Sequence, residues 1–343
     1  MASLAGKPIT QNGLGLMRIS LLSPAHPSQP PTNNATGLTW AQGPSPDEIA
    51  FPVLKAALAS GANIWNGADF YGTPTNNSLH LMARYFTQYP EDADKVVLCI
   101  KSGVADMKTF RMDCSPENMR KAVDRCNKIL GGVKKIDVFG PARVDPNVPV
   151  EETIKVLGEL VEEAKIGGIQ LSEVSVATIT RAVKVHKVEM VEAEVSLWAT
   201  DIFSNGVAES CHELDIVICG HTPLGAGMLT GQIKSLDDMP ANDYHRHFPR
   251  FRTENFAKNL ELVKEVEKLA KEKGCTTAQL ALSWVKRKNV VPIAGARSVE
   301  RAKENAVTVE LAEGDLEVVE GILKSFPIAG TRYPEAAMKL AEY

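Results

Sequence analysis

Short apolar, β-branched runs alternate with amphipathic helical stretches along most of this chain, and that order constrains the fold more than any other feature. A strand followed by a helical crossover comes back parallel to itself, so repeating the pair builds a parallel sheet covered by helices. Eight runs are readable: GLGLMRI near the start, ANIWNGA at 62–68, KVVLCIK at 95–101, KKIDVFG at 134–140, GGIQLS at 167–172, EMVEAEVS at 189–196, DIVICGH at 215–221 and NVVPIAG at 289–295. Helical stretches lie between them. One starts with the cap Ser115, Pro116 in the first turn and Glu117 close behind. Another starts afresh at Thr276 or Thr277 after Gly274, and a short one begins near Ser298.

Eight strands alternating with helices predict an α/β fold of the (β/α)8 barrel type, a TIM barrel, as one domain over 1–343. An open doubly wound sheet would carry GxGxxG after its first strand. Here GLGLMR is followed by a Pro/Asn/Ser-rich stretch over 23–48 instead of a helix, read as an irregular surface or lid loop. There is no internal repeat or domain linker. The tail over 327–343 is expected near the substrate site, with Arg332 and Tyr333 capping the barrel.

A net charge of −4 provides no broad positive field, which argues against nucleic acid or an anionic membrane as partner. No window approaches 18 consecutive apolar residues, and the polar, interrupted start is unlike a signal peptide. The six cysteines form no CxxC pair, and several sit in apolar runs, so reduced thiols and a cytoplasmic location are expected. His245 and His247 are spaced HxH in a Pro/Asn/Asp loop with no clear third ligand, so no metal is expected.

In a barrel of this kind chemistry gathers at the carboxyl ends of the strands. Polar groups stand there in the sequence: Asn66 and Tyr71 at the second run, Lys101 at the third, Ser172 and Glu173 at the fifth, Glu192 and Glu194 in the sixth and His221 at the seventh. A lysine ending a buried strand needs a reason, because an unpaired buried cation is costly. It either snorkels or pairs with an acid for structure, or it lies beside Tyr71 and lowers the phenol's pKa so that it can give up a proton. In the last section Arg301 and Asn305, four apart, share a helix face, and Arg297 precedes it. That arrangement suits a phosphate at a helix N-terminus, or a solvated helix with an exposed Arg–Glu pair.

Taken together and in order, GLGLM, ADFYG, CIK, IDVFGPARVDP, GIQLSEVS, EVSLW, HTPLGAGMLTG, TTAQLALSWV and PIAGARSVERAKEN resemble the aldo-keto reductase superfamily over roughly residues 9 to 326. The resemblance implies a (β/α)8 barrel that reduces carbonyls with NADPH. Its members use Asp, Tyr, Lys and His at four positions. Tyr71 and Lys101 match two of these, while the Asp position falls on Asn66 and the His position on Ala142. The resemblance places Met17, Ser172, Glu192 (where many members have Gln), His221, Leu224, Gly225, Arg297, Arg301, Glu304 and Asn305 against the cofactor. Ser172 would hold the nicotinamide amide and His221 would stack on its ring. Leu224 and Gly225 would turn backbone N–H groups to the pyrophosphate, Arg297 and Arg301 would hold the 2′-phosphate, and Glu304 and Asn305 would bind the adenine.

The departures, WNG before the tyrosine and ARVDP after the fourth run, resemble the fungal pyridoxal reductases, which reduce pyridoxal to pyridoxine. The implied reaction is hydride transfer to a small-molecule aldehyde with Tyr71 as proton donor and Asn66 holding Lys101 by a hydrogen bond. With Asn66 neutral, Lys101 lacks its usual acid partner, and Ala142 leaves room for a bulky aromatic aldehyde. A broad-specificity aldehyde or ketone reductase and a weakly active NADPH-binding regulatory barrel stay open, as does the oligomeric state.

Overall fold

Eight parallel strands wrap into one closed sheet in a computed structural model of the chain, which describes residues 2–17, 45–239 and 243–341. The strands are β1 (Gly13–Gly15), β2 (Ile64–Ala68), β3 (Val97–Ser102), β4 (Val138–Pro141), β5 (Gln170–Ser172), β6 (Met190–Glu194), β7 (Val217–His221) and β8 (Val290–Ala294). Each pairs in parallel with its sequence neighbour, and β8 returns to β1. A parallel bridge between Phe139 and Ile169 closes the ring between β4 and β5. The predicted barrel is therefore the observed one. An N-terminal hairpin, Ser3–Leu4 with Lys7–Pro8, plugs its lower mouth, and Leu4 completes the interior cluster of Ile64, Val97, Cys99, Val138, Met190, Cys219, Val291 and Ile293.

Helices cover the outside: α1 (Asp47–Ala59), α2 (Ser78–Gln88), α3 (Pro116–Leu130), α4 (Val150–Glu162), α5 (Val176–Val183), α6 (Val207–Glu213), α7 (Thr253–Glu272), α8 (Thr277–Arg287), α9 (Val299–Ala306) and α10 (Glu313–Ser325). The caps follow the chemistry of the sequence. Ser115 accepts from the Asn118 N–H, Thr276 forms a capping box with Gln279, and Ser298 accepts from the Arg301 N–H.

The stretch expected as a loop over 23–48 lies outside the described residues up to 44, and its last two residues, Asp47 and Glu48, already belong to α1. A helix thus does follow the first strand. Its Ala50, Phe51, Val53, Leu54, Ala56 and Ala57 are all buried, so it shows little polar face to betray it in sequence.

Candidate active site

Side chains alternate along each strand, so every second residue enters the barrel. On β2 the inward set is Ile64 then Asn66, on β3 Cys99 then Lys101, on β6 Met190 then Glu192, and on β7 Cys219 then His221. The apolar member of each pair fills the interior, and the polar member stands one layer higher, toward the carboxyl ends. Register fixes this: Asn66 lies opposite Cys99, Ala68 opposite Lys101 and Ser172 opposite Glu192.

Tyr71 is brought to the same level by a turn after β2. Gly72 has φ +124, and a Cβ there would come within 2.5 Å of the Asn76 carbonyl, so the turn requires glycine. The start of α2 pins the loop. Ser78 Oγ donates to the Ala68 carbonyl at 2.6 Å and Asn77 Nδ2 to the Asp69 carbonyl at 2.7 Å. Phe70 packs edge-on against the Tyr71 ring at 5.1 Å. Asp69 points away from the lysine, its carboxylate accepting from Ser102 Oγ at 2.6 Å and facing Arg125 at 3.6 Å.

Lys101 is 3 % exposed and donates to Asn66 Oδ1 at 2.6 Å and to the Glu192 carboxylate, whose oxygens lie at 2.7 and 2.6 Å. The Tyr71 ring lies beside the ammonium, with Nζ 5.5 Å from the ring centroid, and the lysine charge acts on the phenol. Asn66 Nδ2 in turn donates to Glu192 Oε2 at 2.7 Å. Two expectations are corrected here. Lys101 does have an acid partner, because Glu192 reaches it from the far wall of the barrel. The Tyr71 pKa is also raised, not lowered: burial is the largest influence and outweighs the downward pull of Lys101, while Glu192 adds to the rise. Burial opposes the lysine's charge too, but Glu192 and Tyr71 more than offset it and hold its pKa above the ordinary value.

A second buried network borders the first. Glu173, 0 % exposed and in a left-handed conformation at φ 55, follows β5. Its carboxylate accepts from His221 Nε2 at 2.6 Å, the Glu194 N–H at 2.8 Å and Arg332 Nη1 at 2.9 Å. Burial favours its neutral form, but the His221 hydrogen bond and the charges of His221, Arg143 and Arg332 prevail and hold it well below the usual carboxylate range. Arg332 brings the C-terminal tail to the strand ends, and the Tyr333 phenol lies within reach of the Glu194, Glu173 and Arg143 charges. Ala142 is 1 % exposed. The space beside it is not open, because Arg143 turns back to donate to the Ala142 carbonyl at 2.6 Å and to Ser172 Oγ at 3.1 Å. Its charge also acts on Tyr71. Sequence reading passed over Arg143, although a cation directly after a strand-end alanine was visible there.

The other anticipated cofactor positions flank these networks. His221 is fixed by Glu173 and by Thr222 Oγ1 at 3.1 Å. Gly225, Ala226 and Gly227 are all left-handed after β7, and the Gly225 N–H donates to the Thr222 carbonyl at 2.9 Å. Met17 stands just after β1, and Leu224 packs against the core. Arg297 precedes α9. Within α9, Arg301 donates to Glu304 Oε2 at 2.6 Å, and Glu304 Oε1 accepts from Thr276 Oγ1 at 2.8 Å. Asn305 Nδ2 donates to the Gly295 carbonyl at 3.2 Å, while its Oδ1 is buried without a hydrogen-bond partner. An orphaned amide acceptor at the far end of the helix that Ser298 caps and Arg297 precedes fits a nucleotide with an amino group.

All six cysteines are free. Among the described residues no helix is long and apolar enough to cross a membrane, and no group of three or more His, Cys, Asp or Glu gathers as for a metal. His245 bonds Asp243 at 2.7 Å.

Comparison with known proteins agrees with this geometry. The profile of the Aldo/keto reductase family matches residues 34–324. The chain is 37% identical over 309 residues to "Probable pyridoxal reductase 2" of Schizosaccharomyces pombe, covering 87% of this chain and 92% of that one. It is 34% identical over 310 residues to "Aldo-keto reductase yakc [NADP(+)]" of the same organism, covering 88% and 90%. Among solved structures, a glycerol dehydrogenase from Gluconobacter oxydans superimposes with a TM-score of 0.79 over 97% of this chain and 98% of that one, at 22% identity. The chain belongs to the aldo/keto reductase family of oxidoreductases, whose members use a nicotinamide dinucleotide.

Proposed function

We propose that this aldo/keto reductase reduces an aldehyde to the alcohol, with pyridoxal as substrate and pyridoxine as product, NADPH as reductant and Tyr71 as proton donor. One observation carries the reading: the buried Lys101 ammonium lies beside the Tyr71 ring, 5.5 Å from its centroid, at the carboxyl end of the barrel, and its charge acts on the phenol. When bound, NADPH supplies a hydride to the carbonyl carbon. Tyr71 gives its O–H proton to the carbonyl oxygen. The phenolate left behind is held by the neighbouring Lys101 cation. Arg143, standing beside Ala142 where the family pattern has histidine, adds positive charge near the developing alkoxide.

Arg297 and Arg301 would hold the 2′-phosphate, Asn305 Oδ1 would accept from the adenine amino group, and Ser172 would hold the nicotinamide amide. Two arginines at that helix start favour NADPH over NADH. The names of two relatives, one a pyridoxal reductase and one bearing NADP(+), support the same choice.

The test follows NADPH absorbance with purified protein and pyridoxal, with NADH and nitrobenzaldehyde as controls. NADPH-dependent turnover with pyridoxal is expected, and Tyr71→Phe should lower it by about 10²–10⁴-fold while NADPH binding is kept. Turnover only with nitrobenzaldehyde would discard the vitamin B6 substrate. Full activity in Tyr71→Phe would overturn the assignment of the acid.

A further inference from the structure

We propose that acid and amide have changed places across the barrel mouth: Glu192 on β6, rather than an acid at position 66 on β2, is the positioning residue that carries the counter-charge of Lys101. This rests on the preceding reading only in that Lys101 serves Tyr71.

The three side chains form a closed ring of hydrogen bonds. Lys101 donates to Asn66 Oδ1 at 2.6 Å and to both Glu192 oxygens at 2.7 and 2.6 Å, and Asn66 donates to Glu192 Oε2 at 2.7 Å. All three residues are 2–3 % exposed, so the ring is out of reach of bulk water. Its lysine and carboxylate sum to zero charge, which is what burial demands of such a pair. The ring is also reversible. With Asp at 66 and Gln at 192, the lysine would still face one carboxylate and one amide oxygen, and the amide would donate to the carboxylate in the opposite direction. The charge would be unchanged.

The other nearby acids are engaged elsewhere. Asp69 is turned to Ser102 and Arg125, Glu194 lies 3.5 Å from Arg332, and Glu173 is bonded to His221 and Arg332. The remaining titratable or charged groups whose fields reach the ring are Tyr71, His221, Arg143 and the thiols Cys99 and Cys219. Both thiols are held neutral by burial, so they supply no counter-charge. A side chain at 192 that only filled space or only faced the cofactor would tolerate glutamine. One that balances the lysine would not, unless an acid returned at 66.

The experiment is a four-corner thermal unfolding series on cofactor-free protein: wild type, E192Q, N66D and N66D/E192Q, from about pH 6 to 10.5. Near neutral pH, E192Q should lower Tm by roughly 4–7 °C, because an uncompensated buried cation is left behind. In E192Q the lysine is protonated more readily in the unfolded chain than in the folded one, so its deficit should shrink as pH rises toward about 10 and Lys101 sheds its proton. N66D/E192Q should recover most of the lost Tm at neutral pH. Failure of the double variant to improve on E192Q, or an E192Q deficit unchanged with pH, would overturn the proposal. If E192Q does not fold, a folded N66D/E192Q supports it and an unfolded one refutes it. The series is read without substrate, so it stands or falls separately from the choice of pyridoxal.

Discussion

Arg332 ties the C-terminal tail to the strand ends, and Arg332→Met should show how much that tie contributes. Its guanidinium is 2.9 Å from Glu173 and 3.5 Å from Glu194, and its side chain is 3 % exposed. Removing one partner of a buried pair costs about 3–5 kcal/mol. Glu173 keeps two donors, His221 Nε2 at 2.6 Å and the Glu194 N–H at 2.8 Å, so the lower end, about 3 kcal/mol, is expected. Methionine preserves most of the apolar stem, which keeps a packing loss out of that figure. With an unfolding entropy of about 2.1 cal/mol/K per residue, a chain of 343 residues shifts by roughly 1.4 °C per kcal/mol, so Tm should fall by roughly 4 °C. The assay is thermal unfolding in two backgrounds. In Glu173→Gln the same Arg332→Met change should cost less than about 1 kcal/mol, because a neutral amide no longer needs the cation. The pH dependence has a definite sign. Glu173 is held low in the folded state, so its contribution is complete above its unfolded pKa of about 4.3 and fades as the solution is made more acidic. The gap between wild type and Arg332→Met should therefore begin to narrow below about pH 4 and disappear only as the pH falls through the much lower folded-state value of Glu173. An equal cost of Arg332→Met in both backgrounds would show that apolar contacts, not the Glu173 charge, hold the tail.

Two further outcomes follow from the site. In the reductive direction kcat/KM should stay level through neutral pH and fall only above about 10, since Tyr71 must be protonated to act and burial holds its pKa above the ordinary phenol value; a fall centred near pH 7–8 in the pH–rate profile would exclude Tyr71 as the acid. Arg301→Met should raise KM for NADPH by about tenfold or more while leaving KM for NADH nearly unchanged, and an equal change for both cofactors in steady-state kinetics would remove Arg301 from the phosphate site.

The barrel was legible because short apolar runs such as KVVLCIK, bounded by polar residues and separated by helical stretches, are a local property of the sequence. The Asn66–Lys101 hydrogen bond could also be anticipated, since the two stand on neighbouring strands, both facing inward and offset by two residues. Glu192 was seen as a strand-end acid but not as the partner of Lys101. Its contact with Asn66 spans 126 residues and crosses the barrel, and nothing local announces it. Arg332 lies 159 residues from Glu173, with the same consequence. The sign of the Tyr71 shift was missed for a different reason. A sequence displays the nearby cation but not the burial that opposes it, and at this site burial is the larger influence.

These details bear on why the phenol holds its proton. A lone buried ammonium beside Tyr71 would pull the phenol toward phenolate and so toward the oxidative direction, which needs a base. Here burial of the ring is the larger influence and penalises the phenolate, and Glu192 opposes the lysine's pull. Tyr71 therefore rests as a phenol beside the Lys101 charge, and in the proposed reaction its O–H is spent on a carbonyl oxygen. Stabilisation is withheld until the proton leaves. The phenolate then gains the attraction of Lys101, and the Arg143 charge acts on the same group. An arrangement that favours the products of proton donation more than the resting phenol is what a reductase acting near neutral pH requires. It rests on the carboxylate that Glu192 sets against the lysine, together with the burial of the phenol.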